Sequence, residues 1–416
     1  MTFGALLRNN RNVRCLWAGQ VVSEIGDHFN NIAVLSLALR NEGDGMAVAG
    51  IMLSRALPAI SVGPLAGVLL DRLDRRVLML ISDLVRAAIA LLFLLPVGSK
   101  SNTMLYVLSA LLMAASPFFS AGRSAILPSI VTPAELPAVT SLTQTTMWAT
   151  TAAGAFLAGH SVDKFGYTSA FLLNAASFLL SGLCVWMLRG NFKVLRNEPS
   201  HRVSPVRDYL DGLRYMRSIP LLFAIGLISL GWASGGGAAQ ILFSLFGEKV
   251  FLKGPAGTGD IWGAAGVGLV IGGVLAHRLS KTIGFNGYKR TIAIAYLCHG
   301  AMYVVFSQMT NYYLAMLFIL LSRASVAVSS VMNATQVMRH TANEYRGRVM
   351  STLETLTWGM MMLSMSAAGL ATADGKVSTI RTVGAISGLL SGTTAIWWTW
   401  LNIKGKLPEP KADSAP

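Results

Sequence analysis

The sequence predicts an all-α membrane protein with twelve transmembrane helices in two pseudo-symmetric six-helix bundles. Three observations predict it. Charge is scarce: of 416 residues, 53% are hydrophobic and 13% charged, with mean hydropathy +0.55, whereas soluble domains carry about a quarter charged residues. Apolar windows of about 20 residues, enough to cross a bilayer, recur along the whole length. A charged hairpin also closes one such window in each half. It reads Gly67-Val-Leu-Leu-Asp71-Arg72-Leu-Asp-Arg75-Arg76 first and Gly273-Val-Leu-Ala-His277-Arg278-Leu later, as duplicated membrane folds do.

The windows fall at 13–39, 46–70, 76–97, 104–127, 138–162 and 167–189, then at 219–247, 258–280, 289–309, 312–336, 347–373 and 379–402. Glycine-rich Ser234-Gly-Gly-Gly237 is a place where the seventh could end early. These windows divide the chain into a bundle at 1–190, a linker at 191–218, a second bundle at 219–403 and a tail at 404–416. Within the linker, Lys193, Arg196, Arg202, Arg207, Arg214 and Arg217 accompany the breakers Pro199 and Pro205. There, Tyr209, Leu210, Leu213 and Met216 recur at helical spacing opposite Asp208, Asp211 and Arg214, which predicts an amphipathic helix at the membrane interface. A second echo supports the duplication: Pro-Ala-Glu135-Leu precedes span 5, and Ala-Asn-Glu344-Tyr precedes span 11.

Basic residues orient the chain. Those on the side that holds both termini outnumber those on the other by more than about three to one, which places the termini in the cytoplasm. No removable signal peptide is read at the N-terminus; the first span targets the chain. The net charge of +15 sits in short loops between spans, so the partner it implies is anionic lipid at the cytoplasmic face rather than nucleic acid. Cys15, Cys184 and Cys298 are too scattered for a disulfide framework or a metal site. The six histidines lack metal spacing, and His299 stands alone in span 9. No Gly-x-x-x-x-Gly-Lys-Ser/Thr or Gly-x-Ser-x-Gly sequence occurs, which argues against ATP as the energy source and against acyl-transfer chemistry. No cofactor and no enzymatic activity are expected, and the chain is expected to be a monomer.

The 67–76 stretch resembles the signature loop of the major facilitator superfamily, Gly-x-Leu-Ala-Asp-Arg-x-Gly-Arg-Lys/Arg. Gly67, Asp71, Arg72, Arg75 and Arg76 match, while Leu70 and Asp74 depart from it. Leu16-Trp17-Ala-Gly19-Gln20 through Gly26-Asp27, Ser82-Asp83-Leu-Val-Arg86 and Tyr345-Arg-Gly347-Arg348 extend the resemblance to the bacterial efflux subgroup, which includes macrolide pumps and an enterobactin exporter. This resemblance implies a conformational latch. Asp71 would face the N-terminus of span 11, where a carboxylate gains from unpaired amides and the helix dipole. Arg72, Arg75 and Arg76 would brace it, and an Asp83–Arg86 pair near the cytoplasmic end of span 3 would brace the loop. Gly154-Ala-Phe-Leu-Ala-Gly159 is similar to the antiporter signature Gly-Pro-x-x-Gly-Gly, with Ala155 and Ala158 as departures. Gly268-x-x-x-Gly272 marks a close helix contact.

Ionisable groups inside spans ask for a partner or a role. Span 1 carries Glu24, Asp27 and His28, and span 2 carries Arg55. Asp27 is the first candidate for a proton-carrying carboxylate, with Arg55 as its expected partner; Glu24 and Glu354 are further candidates. Arg323, in span 10, reads as a contact for an anionic substrate group or as a counter-ion for an acid. Glu354 is expected to pair with Arg323 or to brace the start of span 11. Gln20, Met113, Phe118, Met147, Trp148, Trp232, Gln240 and Arg323 are the candidate cavity side chains, since aromatic and methionine surfaces accept varied apolar ligands. The function these residues imply is proton-coupled export of a small amphiphilic compound (drug, siderophore or lipid-like metabolite) by rocker-switch alternating access. Proton-coupled uptake of a nutrient, and a non-transporting scaffold or lipid scramblase, are the alternatives.

Overall fold

The computed structural model of the chain describes residues 3–70, 72–190, 192 and 205–410. Asp71 and the linker residues Lys193, Arg196, Pro199 and Arg202 lie outside these, as does the side chain of Asp208. The described residues form helices and no strands. In order these are α1 (Phe3–Asn9), α2 (Arg11–Glu42), α3 (Gly45–Leu70), α4 (Arg75–Leu92), α5 (Thr103–Ile130), α6 (Leu136–Trp186) and α7 (Pro205–Ser218). They continue as α8 (Pro220–Leu245), α9 (Gly254–Thr282), α10 (Phe285–Gln308), α11 (Tyr312–His340), α12 (Asn343–Ala371) and α13 (Val377–Ile403). Among the described residues eight helices are long and apolar enough to cross a membrane. One of them, α6, holds two spans in its 51 residues. Helices α2, α12 and α13 reach 32, 29 and 27 residues, long enough to cross as well. With α6 counted twice and these three added, the helices supply the twelve expected spans.

The two spans within α6 meet at Gly166, whose φ of 79° and ψ of 175° suit a residue without Cβ. Nothing lies within 4 Å of the point where a Cβ would stand. Glycine is there for its backbone, and the chain reverses without a separate loop.

Two compact units emerge. The first takes the described residues through 192 together with 243–263; the second takes those from 205 to 242 and from 264 onward. The boundary differs from the span-based one at 243–263. Local contacts explain it: the Ser36 hydroxyl of α2 donates to the Glu248 carboxylate, and Gly159 of α6 approaches Gly259 of α9 so closely that a Cβ would lie 2.8 Å from its Cα.

Within the first unit, α2 lies on the second limb of α6. A Cβ on Gly26 would stand 1.9 Å from Ser177 Oγ, so the absent side chain sets the spacing between these helices. In the second unit α8 continues through Ser234–Gly237 and does not end there. Its glycines serve contact instead: a Cβ on Gly235 would fall 2.0 Å from the Ser387 carbonyl oxygen, and one on Gly237 would fall 2.2 Å from that of Met361. Gly268 and Gly272 likewise press α9 against the Leu320 and Ala324 carbonyls of α11.

Helix α7 packs on the start of α12. Gly212 fits against Arg348 and Thr352, and Tyr215 stacks on Tyr345 at 4.4 Å between ring centroids. The Tyr215 hydroxyl accepts from the Ala342 amide at 3.0 Å, satisfying one of the unpaired donors at that helix start. Asp211 lies 3.6 Å from Arg214 and 3.9 Å from Arg348. The buried face is therefore Gly212, Tyr215 and Met216, while Leu210 stays 44% exposed.

At the hairpin, Asp74 caps α4 by accepting from the Arg76 amide at 2.9 Å. Arg75 donates to the Ala125 carbonyl of α5 at 2.8 Å, and Arg76 donates to the Trp186 carbonyl at the end of α6. Gly67 is helical and Arg72 is exposed. Ahead of α6, Glu135 accepts from the Thr132 amide and hydroxyl at 2.9 and 3.0 Å, and the amide bond first of all holds its carboxyl below the ordinary value.

Candidate functional site

A polar cluster at membrane depth in the first unit is built on α2. Seen from its start at Arg11, successive turns present Trp17, Gln20 and Glu24 toward the first limb of α6 and toward α5. Trp17 Nε1 donates to Thr146 Oγ1 at 2.8 Å. Gln20 Nε2 donates to Glu24 Oε1 at 2.8 Å and to the Thr143 carbonyl at 3.2 Å. Thr150 Oγ1 donates to the second Glu24 oxygen at 2.7 Å. Arg123 of α5 completes the group, its Nη1 lying 3.6 Å from Glu24 Oε1. Both side chains keep about a fifth of their surface open, 22% and 21%.

Asp27 lies one turn beyond Glu24 and is exposed, although it stands sixteen residues, about 24 Å, along α2. Glu24, Arg55, Asp83 and Arg86 all lie within electrostatic range of it. Its expected ion pair with Arg55 is not among those of the described residues. Instead Arg55 donates to Asn31 Oδ1 and, at 3.4 Å, to Asn30 Oδ1. The reason is register. Helices α2 and α3 diverge from a tight turn at Gly43, so a residue ten positions into α3 meets α2 about ten positions before Glu42. Asn31 sits there, and Asp27 is a turn deeper.

Asp83 and Arg86 pair as expected from their spacing, but not beside the hairpin. Arg86 is eleven residues, about 16 Å, into α4, and the pair is buried with side chains 1% and 4% exposed. The guanidinium is held between two aromatic faces, 4.5 Å from the Phe119 centroid and 4.4 Å from that of Phe178. Such a sandwich replaces hydration with ring quadrupoles. The pair therefore braces the interior of the first unit rather than its loop.

In the second unit Arg323 is buried, 7% exposed, and neighbours Tyr303 and His299 of α10 electrostatically. His299 Nδ1 and Ser322 Oγ are 2.8 Å apart. Glu354 is exposed on α12 and does not pair with Arg323 among the described residues. Depth separates them: Arg323 is about 25 Å from the His340 end of α11, while Glu354 is about 16 Å from the adjoining Asn343 end of α12.

Of the remaining candidates, Gln20 is buried inside the Glu24 cluster, Met147 is exposed, and Met113, Phe118, Trp148 and Gln240 are partly exposed. Trp232 packs partly on the core of the second unit, and its indole N–H is buried without an acceptor among the described residues. Asp71, the expected latch carboxylate, lies outside the described residues. Arg123 is the member that sequence reasoning passed over. The available signal was a solitary arginine inside the fourth apolar window.

The chain matches the Major Facilitator Superfamily over residues 16–365. It is 24% identical over 358 residues to "Putative bacilysin exporter BacE" of Bacillus subtilis (strain 168), covering 82% of this chain and 84% of that one. With the MFS-type transporter YfiS of the same organism it shares 29% identity over 226 residues, 54% of this chain and about half (53%) of the relative. Solved structures of similar fold include the nucleoside transporter NupG (TM-score 0.71, 10% identity, 94% of this chain and 99% of that one). A bacterial homologue of the iron transporter ferroportin in an inward-facing state aligns with TM-score 0.68 and 17% identity, covering 94% and 98%.

Proposed function

The chain belongs to the major facilitator superfamily, and on that premise we propose that it exports a small amphiphilic compound in exchange for protons by alternating access. Drugs, siderophores and lipid-like metabolites form the substrate class. The observation that carries this reading is Asp27, a carboxylate deep in α2 within electrostatic range of Glu24, Arg55, Asp83 and Arg86. A carboxylate at membrane depth among both signs of charge is placed to take and release a proton as its surroundings change. Glu24, paired with Arg123, is the second protonatable group. The name of the BacE relative supports the outward direction.

The protein resides in the cytoplasmic membrane as a monomer, with both termini in the cytoplasm and its basic loops against anionic lipid. Gly67, Asp71, Arg72, Arg75 and Arg76 are the candidate latch residues, and Trp232, Gln240 and Arg323 are the second unit's candidates for contacting cargo.

Everted vesicles carrying the full chain test the reading. Energised vesicles should accumulate a macrolide, a catecholate siderophore or a lysolipid, and Asp27→Asn should remove the dependence on the proton gradient. Accumulation only in right-side-out vesicles would establish uptake instead. Gradient-driven export undiminished in Asp27→Asn would remove Asp27 from the mechanism.

A further inference from the structure

Between the ends of α2, α5 and α6 the first unit forms a half-open cavity of about 330 Å³, at the small end of the range for ligand pockets. Val13 and Leu16 of α2 and Leu127 and Pro128 of α5 form much of its wall, and Gln20, Arg123 and Gln144 are among its polar members. The three helices all present the same end here: α2 begins at Arg11, α5 finishes at Ile130 and α6 begins at Leu136. Arg123, seven residues before the end of α5, is about 10 Å inside that mouth.

Several polar groups of the lining are already engaged. Trp17 is committed to Thr146, and the Gln20 amide is committed to Glu24 and Thr143. Arg123 carries five N–H donors, and its contact to Glu24 engages one nitrogen, Nη1, at 3.6 Å. Both Glu24 oxygens already accept shorter bonds from Gln20 and Thr150. A guanidinium with unspent donors at the bottom of an apolar shaft is matched by a planar anion.

We propose that this cavity binds a small organic monoanion with an apolar body, inserted anion-first so that its charged group meets Arg123. Polarity along the shaft fixes the direction of entry. A phospholipid with its headgroup at the mouth would lay a hydrocarbon chain on the guanidinium and leave the donors not turned to Glu24 without an acceptor. A carboxylate on an aliphatic or aromatic stem satisfies Arg123 and leaves the stem against Leu16, Leu127 and Pro128. The inference rests on the transport reading only in regarding the occupant as cargo.

Isothermal titration of the full chain in neutral phosphatidylcholine nanodiscs tests it with 4-phenylbutyrate, 4-phenylbutanol and 4-phenylbutylammonium. The anion should bind at least about tenfold more tightly than the alcohol or the amine. Arg123→Gln should erase that preference. Thr140→Phe, a substitution at an exposed lining position that leaves Arg123 and Glu24 in place, should weaken the anion at least about tenfold by filling the shaft. Equal binding of the three probes, or anion binding untouched by Thr140→Phe, overturns the proposal. Because the readout is binding, it separates from the vesicle result. Binding without flux removes the transport reading alone, and flux without binding removes this site alone.

Discussion

Glu24 of α2 and Arg123 of α5 face each other at 3.6 Å across ninety-nine residues of chain. Each is fixed by its own helix, and the two Glu24 oxygens are shared with Gln20 and Thr150. The pair thus ties the first, fourth and fifth spans together at membrane depth. Removing either charge should lower stability, and removing both should cost less than the sum. A double-mutant cycle of Glu24→Gln and Arg123→Gln is expected to give a coupling of about 1 kcal/mol, read from denaturant unfolding in detergent. Additive losses would show that the two act independently.

Arg86 offers a sharper contrast. Its charge is enclosed by Asp83, Phe119 and Phe178, so deleting it leaves Asp83 buried without compensation. Arg86→Met should destabilise the protein by about 3–5 kcal/mol. Adding Asp83→Asn should recover part of that loss, because the stranded charge is gone. Thermal unfolding of the purified single and double variants measures both effects.

Glycine in α8 is set by neighbours rather than by backbone geometry. Gly237→Leu should prevent α8 from reaching α12, because even a Cβ would lie 2.2 Å from the Met361 carbonyl oxygen. Loss of the monodisperse folded protein on size-exclusion chromatography is the expected outcome. Gly359→Ala in α12, where nothing lies within 4 Å of the added atom, should be neutral or stabilise by up to about 1 kcal/mol through helix propensity.

The duplicated hairpins make a topological prediction. Arg72 and Arg278 are both exposed. Single cysteines replacing each, in a chain whose Cys15, Cys184 and Cys298 are serine, should react with a membrane-impermeant maleimide from the same side. Labelling from opposite sides would undo the repeat.

Most helix positions were legible in the sequence because long apolar windows end at charges and glycines, and bilayer thickness leaves little latitude in their length. The predicted 13–39 and 312–336 windows lie inside α2 and α11, for example. Side-chain partnerships were far less legible. Arg55 was matched to Asp27 by depth counted from loosely placed ends, and a four-residue error in that count separates Asp27 from Asn31. In α7 the binary pattern describes an apolar face of Tyr209, Leu210, Leu213 and Met216 for the membrane interface and says nothing of the contact with α12. That contact uses Gly212 and Tyr215, because close approach to α12 needs a missing side chain and an aromatic stack, neither of which hydropathy records. Arg123 escaped notice for a related reason: what defines it is a carboxylate on another helix.

Gly166 carries a practical corollary. Because the two limbs of α6 join through a single residue of positive φ, that bend holds no spare length. An epitope tag or protease site spliced there would have to pry two spans apart, whereas one placed beside Asp374 and Gly375, in the turn between α12 and α13, would extend an existing connection. Probes of sidedness belong at the latter position, and protease should leave the bend at Gly166 uncut.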